Sequence, residues 1–307
     1  MDKIENKIKK IASIEIQGAT KVALTFISIV LDLASKVKNK NKLIKEIKRI
    51  EKKILKHRPT EPLLANFSHL IIEALKNYKE EKSLYNYIKN LTDDIKNFYE
   101  DKKKKIIKNG SALIKNGENI FTHCHSSKVE GIIFEAKKKG KKFKLYHTET
   151  RPLFQGRITG RNLLKHKIDV NMVCDSAAPF LVSDHSGDDI KITKVFIGSD
   201  LIALNGDCVN KIGSFGIALT AWESKIPLYV AASLLKIDTA SKNKISYPIE
   251  KRKASEVWSE APKDLNIINY AFDFVPAKFI TGYITEFGVI KPEQVKTTVK
   301  NNYQCLF

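Results

Sequence analysis

The stretch NIFTHCHSSKVEGIIFEAKKKGKKFKLYHT, residues 119–148, changes its pattern twice. A short apolar run (119–123) gives way to a helical pattern (126–140), and a second short apolar run follows (142–148). The alternation continues downstream. IDVNMVC (168–174), KVFIGS (194–199) and PLYVAAS (227–233) read as strands, and GRNLLKHK (160–167) and GSFGIALTAWES (213–224) as helices. Strands alternating with helices predict a mainly parallel sheet with crossover helices. In such sheets ligands sit at the carboxyl ends of the strands, and the polar clusters of this half fall just there.

The preceding half has a different grammar. Apolar residues recur at three- and four-residue spacing in IKEIKRIEKKIL (44–55) and in the long run 84–110, which predicts helices. Two prolines interrupt the pattern at KHRPTEPLLANF (56–67), and Asn109-Gly110 and Asn116-Gly117 mark its end. The fold class expected is α/β: a helical N-terminal domain (1–115) followed by a Rossmann-like domain (116–307) that carries the active site.

The composition sets bounds. A chain of 307 residues with 43% hydrophobic residues has ample material for a core. The formal charge of +20 would suit an acidic partner, but the excess is lysine interleaved with glutamate on predicted helices. That reads as a solvated surface, and nucleic acid is not an expected partner. VALTFISIVLDLA (22–34) is shorter than the roughly 20 residues a membrane span needs, and it carries Asp32, so a core helix is expected. Cys124, Cys174, Cys208 and Cys305 form no CxxC pair, and the first residues do not read as a signal peptide. A reducing, cytoplasmic setting with free thiols is expected.

Three clusters carry chemistry. Cys124 stands between His123 and His125 where a strand gives way to a helix. Helix amides there can lower a thiol pKa, and Ser126 or Ser127 can cap the helix. Neighbouring side chains on an extended segment point apart, so no metal site is expected from the three; a buried structural cysteine fits the local sequence as well as a reactive one. In TETRPLFQGR (148–157), Arg151 and Arg157 are candidate anion clamps, and Gln155-Gly156 offers an amide and a close backbone approach; a surface turn is the alternative. In FIGSDLIALNGDCVNKIGSFG (196–216), Asp200 follows a buried strand, as a helix cap or a functional acid–base. Asn210 and Lys211 precede Gly213 and a helix start, the makings of a phosphate site, although neither a Walker A loop nor a Rossmann fingerprint is present.

Taken in order, IEIQGATKVA (14–23), HRPTEPLLAN (57–66), THCHS (122–126), TETRPLFQG (148–156), CDSAA (174–178), GSD (198–200), NGDCVNKIG (205–213), AASLLKID (231–238) and FDFVPAKFITGYITEFG (272–288) resemble one family over nearly the whole chain. It holds the regulatory alpha, beta and delta subunits of translation initiation factor 2B, methylthioribose-1-phosphate isomerase and archaeal ribose-1,5-bisphosphate isomerase. The resemblance implies catalytic roles for Cys124 and Asp200, a pair that the regulatory subunits generally lack. It implies a substrate pocket of Ser126, Arg151, Gln155, Asn210, Lys211 and Lys236, joined by Gln17, Gly18 and Ala19 of the N-terminal segment. Gln17 stands where the isomerases usually have arginine, GSD replaces GAD, and LLK before Ile237 is less aromatic than the archaeal pattern. The function implied is isomerisation of ribose 1,5-bisphosphate to ribulose 1,5-bisphosphate, without metal or organic cofactor, in a dimer or a ring of dimers. A regulatory subunit that binds a nucleotide or translation factor, and methylthioribose-1-phosphate isomerase, are the alternatives.

Overall fold

The computed structural model describes residues 3–79, 83–187, 190–241 and 249–307. Five helices come first: α1 (Lys3–Ala12), α2 (Ala19–Ala34), α3 (Lys40–His57), α4 (Pro62–Lys76) and α5 (Leu84–Ala112). In α3 the buried residues are Leu43, Ile47, Ile50 and Ile54, one stripe at helical spacing, while Lys42, Lys45, Lys48 and Lys52 face outward. Asn39 caps this helix by accepting from the Lys42 amide at 2.9 Å. Pro62 opens α4, where its missing N–H leaves nothing unpaired. The apolar run 22–34 lies in α2 as a core helix, with Asp32 paired to Lys7 at 2.6 Å. Among the described residues no helix is long and apolar enough to cross a membrane.

The remainder runs β1 (Glu118–His123), α6 (Ser127–Lys138), β2 (Phe143–Thr148), α7 (Gln155–Lys165), β3 (Val170–Val173), α8 (Ala178–Val182), β4 (Lys194–Ile197), β5 (Leu201–Ala203), β6 (Cys208–Lys211), α9 (Ser214–Glu223), β7 (Leu228–Ala231), β8 (Ile237–Asp238), β9 (Phe272–Val275), β10 (Gly282–Thr285), β11 (Gly288–Ile290) and α10 (Val295–Asn302). The main sheet has the order β11-β10-β7-β4-β1-β2-β3, parallel except for β11. All five strands read from the sequence lie in it. The order reverses between β1 and β4, which opens a crevice beyond their carboxyl ends.

A second sheet, β8-β5-β6-β9, was not expected. Its strands are two to four residues long and pair mostly with distant segments, so no local periodicity announces them. Asn210 and Lys211, read from the sequence as preceding a helix start, do so as the last two residues of β6. The helical half ends where Asn109-Gly110 and Asn116-Gly117 stand: α5 continues through Asn109-Gly110 to Ala112, and β1 begins just after Asn116-Gly117. A Cβ on Gly110 would lie 2.3 Å from the Ile132 side chain, and one on Gly131 would lie 2.4 Å from Ile107. Each glycine of the α5–α6 contact thus receives an isoleucine from the other helix.

One apolar cluster joins Ile4 and Ile8 of α1, Phe26 of α2 and Phe67 of α4 to Val195, Val230 and Tyr283 of the main sheet. A second lies between the sheet and α5–α7, with Ile106, Ile120, Ile132 and Leu163 at its centre. Each such fully buried side chain contributes about 1.5–3 kcal/mol of transfer free energy. The N-terminal helices therefore share a core with the sheet, which holds the segment 14–21 over the β1/β4 crevice.

Candidate active site

A cavity of about 320 Å³ occupies that crevice. Cys124 and Asp200 line it from the ends of β1 and β4, and Asn210 and Lys211 from the end of β6. The starts of α2, α6 and α7 bring Gly18 and Ala19, Ser126 and Ser127, and Gln155. Three helix starts thus face one space with the positive ends of their dipoles, although the Gly156 and Arg157 amides of α7 and the Val129 amide of α6 already have acceptors.

Cys124 is held in an uncommon backbone conformation, with φ +68°. Such a left-handed non-glycine residue costs about 1–3 kcal/mol and persists only where its surroundings enforce it. Two threonines do so: the Cys124 amide donates to Thr150 Oγ1 at 3.1 Å, and Thr159 Oγ1 donates to the Cys124 carbonyl at 3.1 Å. Thr150 Oγ1 lies 3.0 Å from Thr148 Oγ1, which lies 2.6 Å from His123 Nδ1. His123 Nε2 is 2.8 Å from the Ile212 carbonyl, which can only accept, so Nε2 carries the proton and Nδ1 accepts from Thr148. Burial keeps this imidazole neutral by pushing its pKa down to about 4. His125 turns to Thr159 Oγ1 at 3.2 Å and Glu130 at 3.3 Å, so the two imidazoles beside Cys124 serve different partners.

The thiol departs from expectation. Burial pushes the Cys124 pKa up to about 11, although Lys211 and the His125 amide pull it down. Loss of hydration outweighs the charge and dipole that were expected to lower it. Asp200 follows Gly198, where a Cβ would lie 3.0 Å from Ser126 Oγ, so the glycine lets the turn after β4 pack against the start of α6. Ser126 is the N-cap of that helix, accepting from the Val129 amide.

Gln155 Nε2 donates to Gln17 Oε1 at 3.2 Å across the cavity wall, and Gln155 Oε1 is buried without a partner among the described residues. The close approach at Gly156 is to the strand rather than to a ligand: a Cβ there would lie 1.8 Å from the Thr148 carbonyl. Lys236 donates to the Ser199 carbonyl. Lys211 lies over the Phe272 ring at 4.8 Å. Both ammoniums have pKa values lowered by burial, with Asp200 pulling them up.

Two expectations fail. Arg151 does not line the cavity: its guanidinium donates to the Val257 carbonyl at 2.6 Å and stacks on Phe154. Arg157 stacks on the same ring and pairs with Glu149 at 2.9 Å. Phe154, the ring that both guanidiniums lie against, is itself in a left-handed conformation at the start of α7. The amides at the start of α9 are not free for phosphate either, since Gly213 and Phe215 donate to Asp273 Oδ2 at 2.7 and 3.0 Å. Asn210 and Lys211 therefore face the cavity without that helix end.

Cavity residues that the sequence did not single out include Arg58, Lys128 and Arg252. Arg58 is buried. Nη2 donates to Glu61 at 2.6 Å, Nε lies 3.6 Å from Glu250, and Nη1 has no hydrogen-bond partner among the described residues. Arg252 forks onto Glu256 with two bonds of 2.9 Å. Arg58 belongs to the HRPTEPLLAN segment, where a buried cation next to a proline turn was the available signal. Lys128 and Arg252 had none, because a single basic residue in a lysine-rich chain reads as surface.

The Initiation factor 2 subunit family model matches residues 15–292. The chain belongs to this family. Among relatives, a methylthioribose-1-phosphate isomerase from Fervidobacterium nodosum is 32% identical, covering 90% of this chain and 81% of the relative. A ribose 1,5-bisphosphate isomerase from Methanocaldococcus jannaschii is 33% identical, covering 95% and 93%. Among solved structures, a translation initiation factor eIF-2B of Pyrococcus horikoshii superposes with a TM-score of 0.82 at 25% identity, covering 96% of this chain and 98% of that one. The 5-methylthioribose 1-phosphate isomerase of the same organism gives 0.79 at 25% identity, covering 98% and 88%. This family member therefore has both isomerases and initiation factors as relatives, and the family alone does not choose its substrate.

Proposed function

We propose that this protein is an aldose–ketose isomerase of a ribose phosphate, with ribose 1,5-bisphosphate as substrate and ribulose 1,5-bisphosphate as product. The observation that carries the reading is the cavity itself. A thiol and a carboxylate, Cys124 and Asp200, converge where the sheet order reverses, and Arg58, Lys128, Lys211 and Lys236 line the same space. Relatives named as sugar-phosphate isomerases support the reaction class.

The reaction is redox-neutral. The C1–O4 bond of the closed ring breaks and the ring oxygen takes a proton. The hydrogen on C2 moves to C1, and the C2 hydroxyl loses its proton to become the ketone. One group must give a proton and another must take one. The Cys124 thiol starts protonated, as its raised pKa requires, and is the donor to the ring oxygen. The Asp200 carboxylate takes the proton from the C2 hydroxyl. The buried ammoniums and Arg58 hold the phosphates and exclude water from the reacting carbons.

Two observations favour the bisphosphate. Among the described residues, the cavity has six cationic side chains (Lys21, Arg58, Lys128, Lys211, Lys236, Arg252) against two carboxylates (Glu15, Asp200). The match to the bisphosphate isomerase also covers nearly the full length of both chains. Methylthioribose 1-phosphate is the second reading. Ile14, Leu153 and Ile158 form an apolar wall that would suit a methylthio group. Turnover of each purified sugar phosphate, followed by phosphorus NMR, decides between them. Turnover of neither, at enzyme concentrations that reveal slow catalysis, would remove the isomerase reading.

A further inference from the structure

Lys128 is the second residue of α6, and three features of its place are unfavourable without a ligand. It is only 3% exposed. It sits at the positive end of a helix dipole, where a cation is disfavoured by about 0.3–1 kcal/mol. Among the described residues no carboxylate pairs with it. The nearby Glu286 is engaged elsewhere, accepting from Ser233 Oγ, the Leu234 amide and Tyr303 Oη. The hydrogen bond from Lys128 Nζ goes to Tyr99 Oη at 2.8 Å, which leaves ammonium hydrogens unspent. An unpaired buried charge costs several kcal/mol unless something neutralises it.

The surroundings point to an anion. Tyr99 Oη also lies 2.9 Å from Thr20 Oγ1, so one hydroxyl ties Lys128 to the first turn of α2. Thr20 and Lys128 both line the cavity, as do Gly18, Ala19 and Ser127 at the two helix starts. Gly18 gives its helix no side-chain cap, which leaves the first-turn amides of α2 open to a ligand. Arg58, buried and with Nη1 unpartnered among the described residues, lines the same cavity and is a second, independent sign of a missing acceptor. Gln17 at the foot of α2 brings hydrogen-bonding capacity but no charge.

We propose that Lys128 is a substrate-binding residue whose ammonium, with the first-turn amides of α2, receives one phosphate of the sugar phosphate, while Asn210 and Lys211 serve the other. A dianion in that position would remove all three penalties together. Burial lowers the Lys128 pKa to about 8 in the ligand-free protein, and a bound phosphate would restore it. Lys236, Lys103, Asp200, Glu100 and Glu286 are the charged groups around it.

The inference rests on the sugar-phosphate reading of the cavity, and one calorimetric series separates the two. Ribose 1,5-bisphosphate and methylthioribose 1-phosphate are titrated into wild type, Lys128→Met and Lys128→Gln. The methionine keeps the aliphatic stem in place, and the glutamine keeps a polar contact to Tyr99 should the methionine disturb folding. A tenfold or greater loss of affinity for the bisphosphate is expected in each folded variant, the scale of one charge-assisted hydrogen bond. In steady-state assays KM rises while kcat stays within about threefold, since Lys128 touches a phosphate and not the reacting carbons. Wild type that binds neither sugar phosphate overturns the functional reading. Wild type that binds, with variants that bind equally well, overturns only the role of Lys128.

Discussion

Replacing Thr150 with valine removes one oxygen and keeps the β-branched shape. The residue is fully buried and lies outside the cavity, so the change does not touch substrate. Its oxygen is the acceptor for the Cys124 amide and the link to Thr148 and His123. The hydrogen bonds run in one direction, from the Cys124 amide through Thr150 and Thr148 to the imidazole, whose Nε2–H donates to the Ile212 carbonyl. Valine leaves the Cys124 amide without an acceptor. A buried unsatisfied donor costs about 1–3 kcal/mol, and partial exposure of Cys124 puts this one towards the lower end. The left-handed turn at Cys124 costs a similar amount and loses one of its two clamps. Relaxation of that turn moves the thiol, and misplacement by about 1 Å costs roughly 10²-fold in rate. The expectation is a lower Tm by differential scanning calorimetry, a kcat down by about that factor, and a nearly unchanged KM. Thr150→Ser, which keeps the oxygen, should restore most of the rate. A valine variant with wild-type kcat would refute the claim that this chain of hydrogen bonds positions the thiol.

Cys124→Ser and Asp200→Asn should each lower kcat by about 10²-fold or more while the circular dichroism spectrum is preserved, and near-normal turnover removes that residue from the mechanism. Lys211→Ala should abolish measurable binding of ribose 1,5-bisphosphate in calorimetry, whereas Gln17→Arg should tighten it, because a charge-assisted bond is roughly twice as strong as a neutral one; a weaker Gln17→Arg complex would reopen the substrate assignment. His123 has its folded pKa depressed from 6.5 to about 4, so the unfolded chain binds the extra proton and stability falls as pH drops from about 6.5 towards 4. Burial raises Glu61 and Asp273 to about 7, which acts in the opposite sense, with stability lost as pH rises towards that value. The difference in Tm between wild type and His123→Gln should therefore shrink on acidification; a constant difference from pH 7 to pH 4 rejects a neutral buried imidazole. Phe180, Phe215 and Trp222 leave an exposed apolar face on α8 and α9, so light scattering at micromolar concentration should show a dimer or larger assembly that Trp222→Lys weakens.

The sequence by itself did not announce β10, β11 or α8, but it determined five of the seven strands of the main sheet, the helices α6, α7 and α9 and the positions of Cys124 and Asp200 at strand ends. These depend on local periodicity and on chain order, which a linear reading contains. It determined the core helix 22–34 for the same reason. Only the tertiary structure decided which cations face the cavity. Arg151 turned to the Val257 carbonyl, a partner more than a hundred residues further along the chain that no local pattern announces. The α9 amides were filled by Asp273, roughly sixty residues further along the chain and brought beside them by β9 pairing with β6. Lys128 became a buried ammonium where α6 packs on α5 and brings it to Tyr99 Oη, a contact between segments too far apart for a sequence window. The thiol pKa likewise rose where local sequence suggested a fall, since desolvation depends on what distant segments bring over the site and a sequence window holds only the near ones.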